Sequence, residues 1–293
     1  LRIIGPLGYV HPPAIDAMNS EAIVLARPFI GIRPVSGRAD EIAAPPYDVV
    51  NTEEARAAAE GRPLSFFHVS RAEIDLPADT DPYSNDVYKT AAQNLKKLEA
   101  SGAVIRDPSP CFYVYRITAN GNAQTGIAFS ASVDAYNCKR IKKHELTRPS
   151  KEDDRVRQIE AVNAITGPVL TVHRARADLA ALLVRASSRA PDAVAANVDG
   201  ASHELWVVSD EDAVATIGDA INSMDAIYIA DGHHRSAAGC RVAERRRHNN
   251  PVHKGTEAYN GFLAISFPDD QVTILDYNRV VKGLDNFDAE AFK

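Results

Sequence analysis

The residues best suited to chemistry lie in Ile227-Tyr-Ile-Ala-Asp-Gly-His-His-Arg235, an apolar run that reads as a strand turning at Asp231-Gly232 straight into a helix. First-turn N–H groups of a helix have no intrahelical acceptor, the helix dipole places partial positive charge there, and Gly232 lets a ligand approach closely. His233, His234 and Arg235 add side-chain donors at the same place, and Arg235 can grip a phosphate with two nitrogens. The segment predicts a nucleotide phosphate site made of Asp231, Gly232, His233, His234 and Arg235. Two plainer readings compete. Asp231 could simply cap the helix. The paired histidines could bind zinc, although adjacent helical residues point about 100° apart and share no face; no metal-ligand set is assigned.

A second group runs Lys142-Lys-His-Glu-Leu-Thr-Arg-Pro-Ser-Lys-Glu-Asp-Asp-Arg155, dense in polar and charged groups, and reads as a loop ahead of a helix. Glu145 is a candidate base or metal-phosphate ligand, and Lys143, His144 and Arg148 are candidate clamps for phosphate or carboxylate. Ser150 followed by Glu152-Asp-Asp154 reads as a helix start with acids in its first turn. A third group is Ala44-Pro-Pro-Tyr-Asp48, a rigid turn that would fix Tyr47 and Asp48 at a strand end, where the carboxylate could orient a hydroxyl nucleophile. His68 reads as a half-buried strand residue. No GxxxxGK[ST] loop, kinase glycine loop or GxSxG elbow is present, so a nucleotide would have to be held by other means.

Charge supports a compact anionic ligand. The 293 residues carry a formal charge of −6. Lys139 to Arg157 holds eight Lys/Arg against four Asp/Glu, and Asp231 to Arg247 five against two, leaving −13 elsewhere. Positive charge concentrated in two short stretches suits a nucleotide phosphate better than a long duplex, so no nucleic-acid partner is expected. No apolar run approaches the roughly 18 residues of a membrane span, and Leu1–Asn19 has no secretory pattern, so the cytosol is the expected compartment. Cys111, Cys138 and Cys240 are too few and too far apart for a disulfide framework and read as buried free thiols.

The elements that must position these groups can be read from periodicity. Strands are predicted over Glu21–Ile32, Leu64–Val69, Val169–His173 and Ala226–Ala230. Helices are predicted over Thr52–Glu60 (capped by Thr52), Pro82–Ser101, Glu152–Ile165, Asp178–Arg185, Asp210–Asn222 and Asp231–Arg247. Hairpins are predicted from Cys111–Thr118 with Thr125–Tyr136 across Ala119-Asn-Gly-Asn122, from Val194–Asn197 with Glu204–Val208 around Asp199-Gly200, and from Tyr259–Phe267 with Val272–Tyr277 around Pro268-Asp-Asp270. Hairpins mixed with helical crossovers indicate an α+β, mixed-sheet fold with flanking helices. A weak boundary is expected between 185 and 196, dividing the chain into subdomains 27–185 and 196–293, and Asp288–Lys293 reads as an amphipathic helix cut short.

Several of these segments also carry a resemblance. Arg27-Pro-Phe29, Pro45-Pro-Tyr-Asp-Val-Val50, Phe67-His-Val-Ser70, Lys142 to Arg148, Lys151-Glu-Asp-Asp-Arg155, Thr166-Gly-Pro168 and Tyr228 to Arg235 resemble a large bacterial family catalogued as a conserved domain of unknown function. That family is similar, in its Asp-Gly-His-His-Arg box, to SerK-type free-serine kinases and through them to the ParB/sulfiredoxin superfamily. The resemblance begins at Arg27 and leaves 1–26 as an N-terminal extension; family members run past Lys293, which implies C-terminal truncation. It implies a ParB/sulfiredoxin-like nucleotide-binding core in which Asp231 to Arg235 hold phosphates. His233 stands where sulfiredoxins have their catalytic Cys, which argues against sulfinic-acid reduction. In the serine kinases a carboxylate near the N-terminal strand acts as base; Asp48 is the first candidate, Glu145 the second, and Glu41 also stays open.

Together these features predict a kinase that transfers phosphate from ATP or ADP, with Mg²⁺, to the hydroxyl of a small metabolite such as free L-serine. The alternative is a non-catalytic, ParB-like module that binds CTP or ATP and acts as a switch. Neither the acceptor nor the oligomeric state follows from the sequence.

Overall fold

The computed structural model describes residues 23–274 together with 288 and 290. In chain order the strands are β1 (Ala26–Arg27), β2 (Ile32–Pro34), β3 (Val104–Arg106), β4 (Phe112–Ala119), β5 (Asn122–Ser132), β6 (Ile141–Lys142), β7 (Val169–His173), β8 (Ala193–Val198), β9 (Ala201–Val208), β10 (Ile227–Asp231) and β11 (Gly261–Pro268). The helices are α1 (Ala39–Ile42), α2 (Thr52–Ala59), α3 (Phe67–Ser70), α4 (Asn85–Ala100), α5 (Val133–Asn137), α6 (Pro149–Val162), α7 (Ala177–Ala186), α8 (Glu211–Asn222) and α9 (His233–Asn249). The fold is mixed α/β, as the sequence indicates. Eight strands follow the order β6-β10-β7-β11-β5-β4-β9-β8, β1 adds to β5 as a ninth, and β2 and β3 form a separate pair.

Two tight turns were legible in advance. Asn120–Gly121 joins β4 to β5 and Asp199–Gly200 joins β8 to β9, with positive φ at both residues of each turn, the conformation that matches the right-handed twist of a two-residue hairpin. The third expected hairpin does not form in the described residues. β11 is already flanked by β5 and β7, residues 272–274 are in no strand, and 275–277 lie outside the described residues. Strands from both sides of the 185–196 segment share one sheet.

The large core lies on one face of that sheet. Phe112, Val114, Ile127, Phe129 and Trp206 are 0–1% exposed there and meet Leu179 and Leu183 of α7, Ile217 and Ile221 of α8, and Ala243 of α9. Burial of this many large side chains, each worth about 1.5–3 kcal/mol, makes the sheet a rigid platform. Further layers stack outward from α9: Val156 and Ile159 of α6 pack on Ala238 and Val242 of α9, and Val162 of α6 joins Val87, Ala91 and Leu95 of α4.

Local details differ from the sequence reading. Glu21–Ile32 is not one strand. Pro28 interrupts it, leaving β1, a single bridge at Phe29 and β2. Leu64–Val69 is not extended; Phe67–Ser70 is helical because Phe66 and Val69, three apart, face the α4 cluster while Phe67 faces Ala55 and Ala59 of α2. Short apolar runs cannot be assigned by periodicity alone. The cap of α2 is Asn51, in a reciprocal box with Glu54, and not Thr52. Strand β5 ends at Ser132, whose hydroxyl caps α5. Helix α6 starts at Pro149, so Ser150 is not its cap, and ends at Asn163 in the left-handed conformation. Cys111 is buried, but Cys138 is exposed; all three thiols are free. His68 is half-buried on α3, held by Asp75 at 2.8 Å.

Candidate functional site

Strand β10 runs parallel to β6 and antiparallel to β7. The ends of β6 and β10 and the start of β7 therefore meet at one edge of the sheet, where the loop 143–148, the Asp231–Arg235 box and Thr166–Pro168 converge. Ile227 and Ile229 anchor β10 in the core, and Gly232, at φ +93°, turns the chain into α9. A Cβ at 232 would stand 3.2 Å from Val169 Cα and 3.4 Å from Arg235 Nη1, so glycine is needed for both conformation and space.

Asp231 does not cap α9, which has no side-chain cap among the described residues. Its Oδ2 instead accepts from Arg235 Nη2 at 2.8 Å, and the same nitrogen reaches Asp48 Oδ2 at 3.4 Å. Arg235 Nη1 donates to the Pro168 carbonyl. Arg235 is 12% exposed in its side chain and braces three segments that are far apart in sequence. Both its terminal nitrogens are engaged by protein atoms, so the free two-nitrogen fork expected for phosphate is not presented in this arrangement. Burial alone would lower the guanidinium pKa, but Asp231, Asp48 and Tyr47 together outweigh it and push the value up.

The Tyr47–Asp48 turn is pinned from behind. Arg71 Nη1 donates to the carbonyls of Tyr47 (2.9 Å) and Val50 (3.1 Å), its Nη2 donates to Thr52 Oγ1 (2.9 Å), and Glu73, 6% exposed, pairs with its Nε at 2.7 Å. The Tyr47 ring lies under the Arg155 guanidinium, 3.9 Å away, with Arg235 at 6.0 Å. Burial pushes the Tyr47 phenol pKa up, Arg155 partly offsetting it.

The loop 143–148 folds over the first turn of α9. His233 is 2% exposed; its Nδ1 lies 3.3 Å from Glu145 Oε2, its Nε2 lies 3.5 Å from the His144 backbone nitrogen, and the His144 ring meets it edge-on at 4.5 Å. Burial first, then the neighbouring His144, lowers the His233 pKa, which favours a neutral ring that accepts at Nε2 from the His144 N–H. His234 Nε2 accepts from the Arg148 N–H at 3.1 Å. Thr147 bonds Glu152 of α6.

A family model described as a protein of unknown function, DUF1015, matches residues 26–293. The chain belongs to this family. No curated protein and no solved structure matches it. The DUF1015 match opens at β1, one residue before the start expected from the sequence.

In this DUF1015 chain the predicted residues form two contiguous groups. Tyr47, Asp48, Asp231, Gly232 and Arg235 make one; His144, Glu145, Arg148, His233 and His234 make the other. Lys143, next to His144, bonds to neither group, and its Nζ lies 4.1 Å over the Tyr136 ring. Glu41 is not brought in; it pairs with Arg38 on α1. Among the described residues no three His, Cys, Asp or Glu side chains gather as a metal site. Sequence reasoning missed Arg155 and Arg71 as supports. Arg155 closes the Lys142–Arg155 segment, but no role follows for it from the sequence, and Arg71 has no motif around it.

Proposed function

We propose that this protein is a nucleotide-dependent small-molecule kinase that moves a phosphoryl group from ATP or ADP to a hydroxyl such as that of free L-serine, on a ParB/sulfiredoxin-like core. The observation that carries this reading is the meeting of Asp48 with Asp231 on one nitrogen of Arg235, which lies 187 residues from Asp48 in the chain. A carboxylate from a proline-fixed turn is thereby set beside a strand-to-helix turn suited to phosphate.

The acceptor hydroxyl attacks the terminal phosphorus while the bond to the bridging oxygen breaks. The hydroxyl proton passes to Asp48, and the nucleotide leaves one phosphate shorter. Arg235 positions Asp48 and Asp231, and the N–H groups opening α9 face the donor phosphates. Lys143 and Arg148, exposed and without carboxylate partners among the described residues, offer charge to the phosphate tail. Glu145, steadied by His233, is the second candidate base. Asp48 and Asp231 each leave Oδ1 without a partner among the described residues, with side chains 41% and 64% exposed, which fits Mg²⁺ because that ion takes one or two carboxylates and fills its shell with water and phosphate oxygens. When bound, Mg²⁺ neutralises the charge that develops on the phosphates.

Phosphorus NMR of the protein with ATP or ADP, Mg²⁺ and L-serine tests the reading. O-phosphoserine is expected from the wild type and at least a hundredfold less from Asp48→Asn. Calorimetry with ATP, ADP and CTP separates the second reading, a nucleotide-binding switch: strong CTP preference with no phosphorylated product overturns the kinase.

A further inference from the structure

We propose that Tyr47 and Arg155 form a carboxylate seat, so that the acceptor is a hydroxylated molecule with a free carboxylate, a hydroxy amino acid being the simplest. This rests on reading the neighbouring Asp48 as the residue that meets the acceptor hydroxyl.

Arg155 is held as a ligand-binding arginine would be. Its side chain is 13% exposed. Nε and Nη2 both donate to Asp154 Oδ2, at 3.0 and 2.6 Å. Asp154 Oδ1 in turn accepts from the hydroxyl of Tyr88, a residue only 5% exposed, at 2.7 Å. The orientation of the guanidinium is thus fixed from α4 through Asp154. Arg155 Nη1 has no hydrogen-bond partner among the described residues, and a guanidinium held on one edge keeps the N–H groups of the other for a second anion.

Tyr47 completes the seat. Its ring stacks 3.9 Å below the guanidinium, its backbone carbonyl is fixed by Arg71, and its hydroxyl has no partner among the described residues. Burial keeps that phenol protonated and hence a donor. Two unmatched donors, Nη1 and the phenol O–H, therefore stand on one stacked pair, and the next residue in the chain is Asp48. Donors at one end and a carboxylate at the other complement a molecule whose own carboxylate and hydroxyl lie a few bonds apart. The phosphate tail has other cations available, since Lys143, Arg148 and Lys151 have no carboxylate partners among the described residues.

The test compares L-serine with L-serinol, in which a hydroxymethyl group replaces the carboxylate. In Arg155→Gln and in Tyr47→Phe the ratio of kcat/KM for L-serine over L-serinol is expected to fall about tenfold relative to wild type. Tyr47→Phe keeps the ring and removes only a hydroxyl that has no hydrogen-bond partner among the described residues, so it remains informative if Arg155→Gln folds poorly. Equal losses on both acceptors, leaving the ratio unchanged, would overturn the seat. Calorimetry with L-serine alone separates this from the kinase reading. Binding by wild type that weakens tenfold in both variants, with no phosphorylated product, keeps the seat and removes the kinase. No L-serine binding by wild type, or binding unchanged in both variants, removes the seat.

Discussion

Along α9, Arg235, Arg241, Arg245 and Arg247 each end on a carboxylate, whereas Lys142, Lys143, Arg148 and Lys151, in the stretch that leads from β6 into α6, have none among the described residues. The acids that neutralise α9 come from its neighbours. Arg241 reaches Glu152 (3.2 Å) and Asp153 (2.6 Å) of α6, Arg245 reaches Glu160 of α6, and Arg247 reaches Asp134 of α5. Three of the four acceptors from α6 and α5 thus belong to α6, two of them within the first positive stretch. Packing α5 and α6 on α9 pairs Arg241, Arg245 and Arg247 of the helix with acids and leaves the cations between β6 and α6 without them. A local charge excess in sequence locates cations, but the packing decides which of them face a ligand.

The sharpest way to break this contrast is Arg235→Ala, which removes the brace among Asp48, Asp231 and the Pro168 carbonyl. Deleting one partner of a fully buried pair costs about 3–5 kcal/mol, but both carboxylates here are more than a third exposed and regain water. A stability loss of about 2 kcal/mol is expected, read as the shift in urea unfolding free energy.

The loop should behave in the opposite sense. Replacing Lys143, Arg148 and Lys151 together by Gln is expected to leave unfolding free energy within about 0.5 kcal/mol of wild type. ATP affinity by calorimetry should weaken about tenfold, or about 1.4 kcal/mol, and its dependence on salt should flatten. An unchanged ATP affinity would mean that the unpaired cations serve something else.

Arg241→Gln is the matching change on the neutralised side. Its side chain is 32% exposed, so the pair is worth about 0.5–1 kcal/mol of stability, and ATP affinity should not move.

The smallest effect is a pH dependence where the two regions touch. His233 has a folded pKa below the ordinary value of about 6.5. Its contribution to stability is therefore full above pH 6.5 and falls as the pH drops below that value, because the unfolded chain takes up the proton first. His173, pushed down to about 4 chiefly by burial, adds a larger loss in the same direction. The His233 part is the difference between wild type and His233→Gln in urea midpoints followed from about pH 7.5 to about pH 5, with the wild type showing the steeper fall.

Much of the site was legible because its residue types sit at local punctuation. The passage from β10 through Gly232 into α9 follows from an apolar run meeting a glycine, and the proline pair before Tyr47 announces a fixed turn. The role of Arg155 was not legible, since its partners are an adjacent acid, a tyrosine on α4 and the ring of Tyr47, and only the packing of α4 against α6 sets them together. The same holds for Arg71, whose acceptors lie 19 to 24 residues upstream.

What the sequence alone determined is local. The two-residue turns at Asn120–Gly121 and Asp199–Gly200, the strand and helix periods and the glycine hinge at 232 are each set by backbone sterics within a few residues. The tertiary structure decided which charges are spent and which remain. Asp48 joins Asp231 on Arg235, and acids of α6 and α5 pair with Arg241, Arg245 and Arg247 of α9, because ion pairing depends on distances of a few ångströms between segments that the chain itself keeps far apart, and only the packed sheet and helix layers fix those distances.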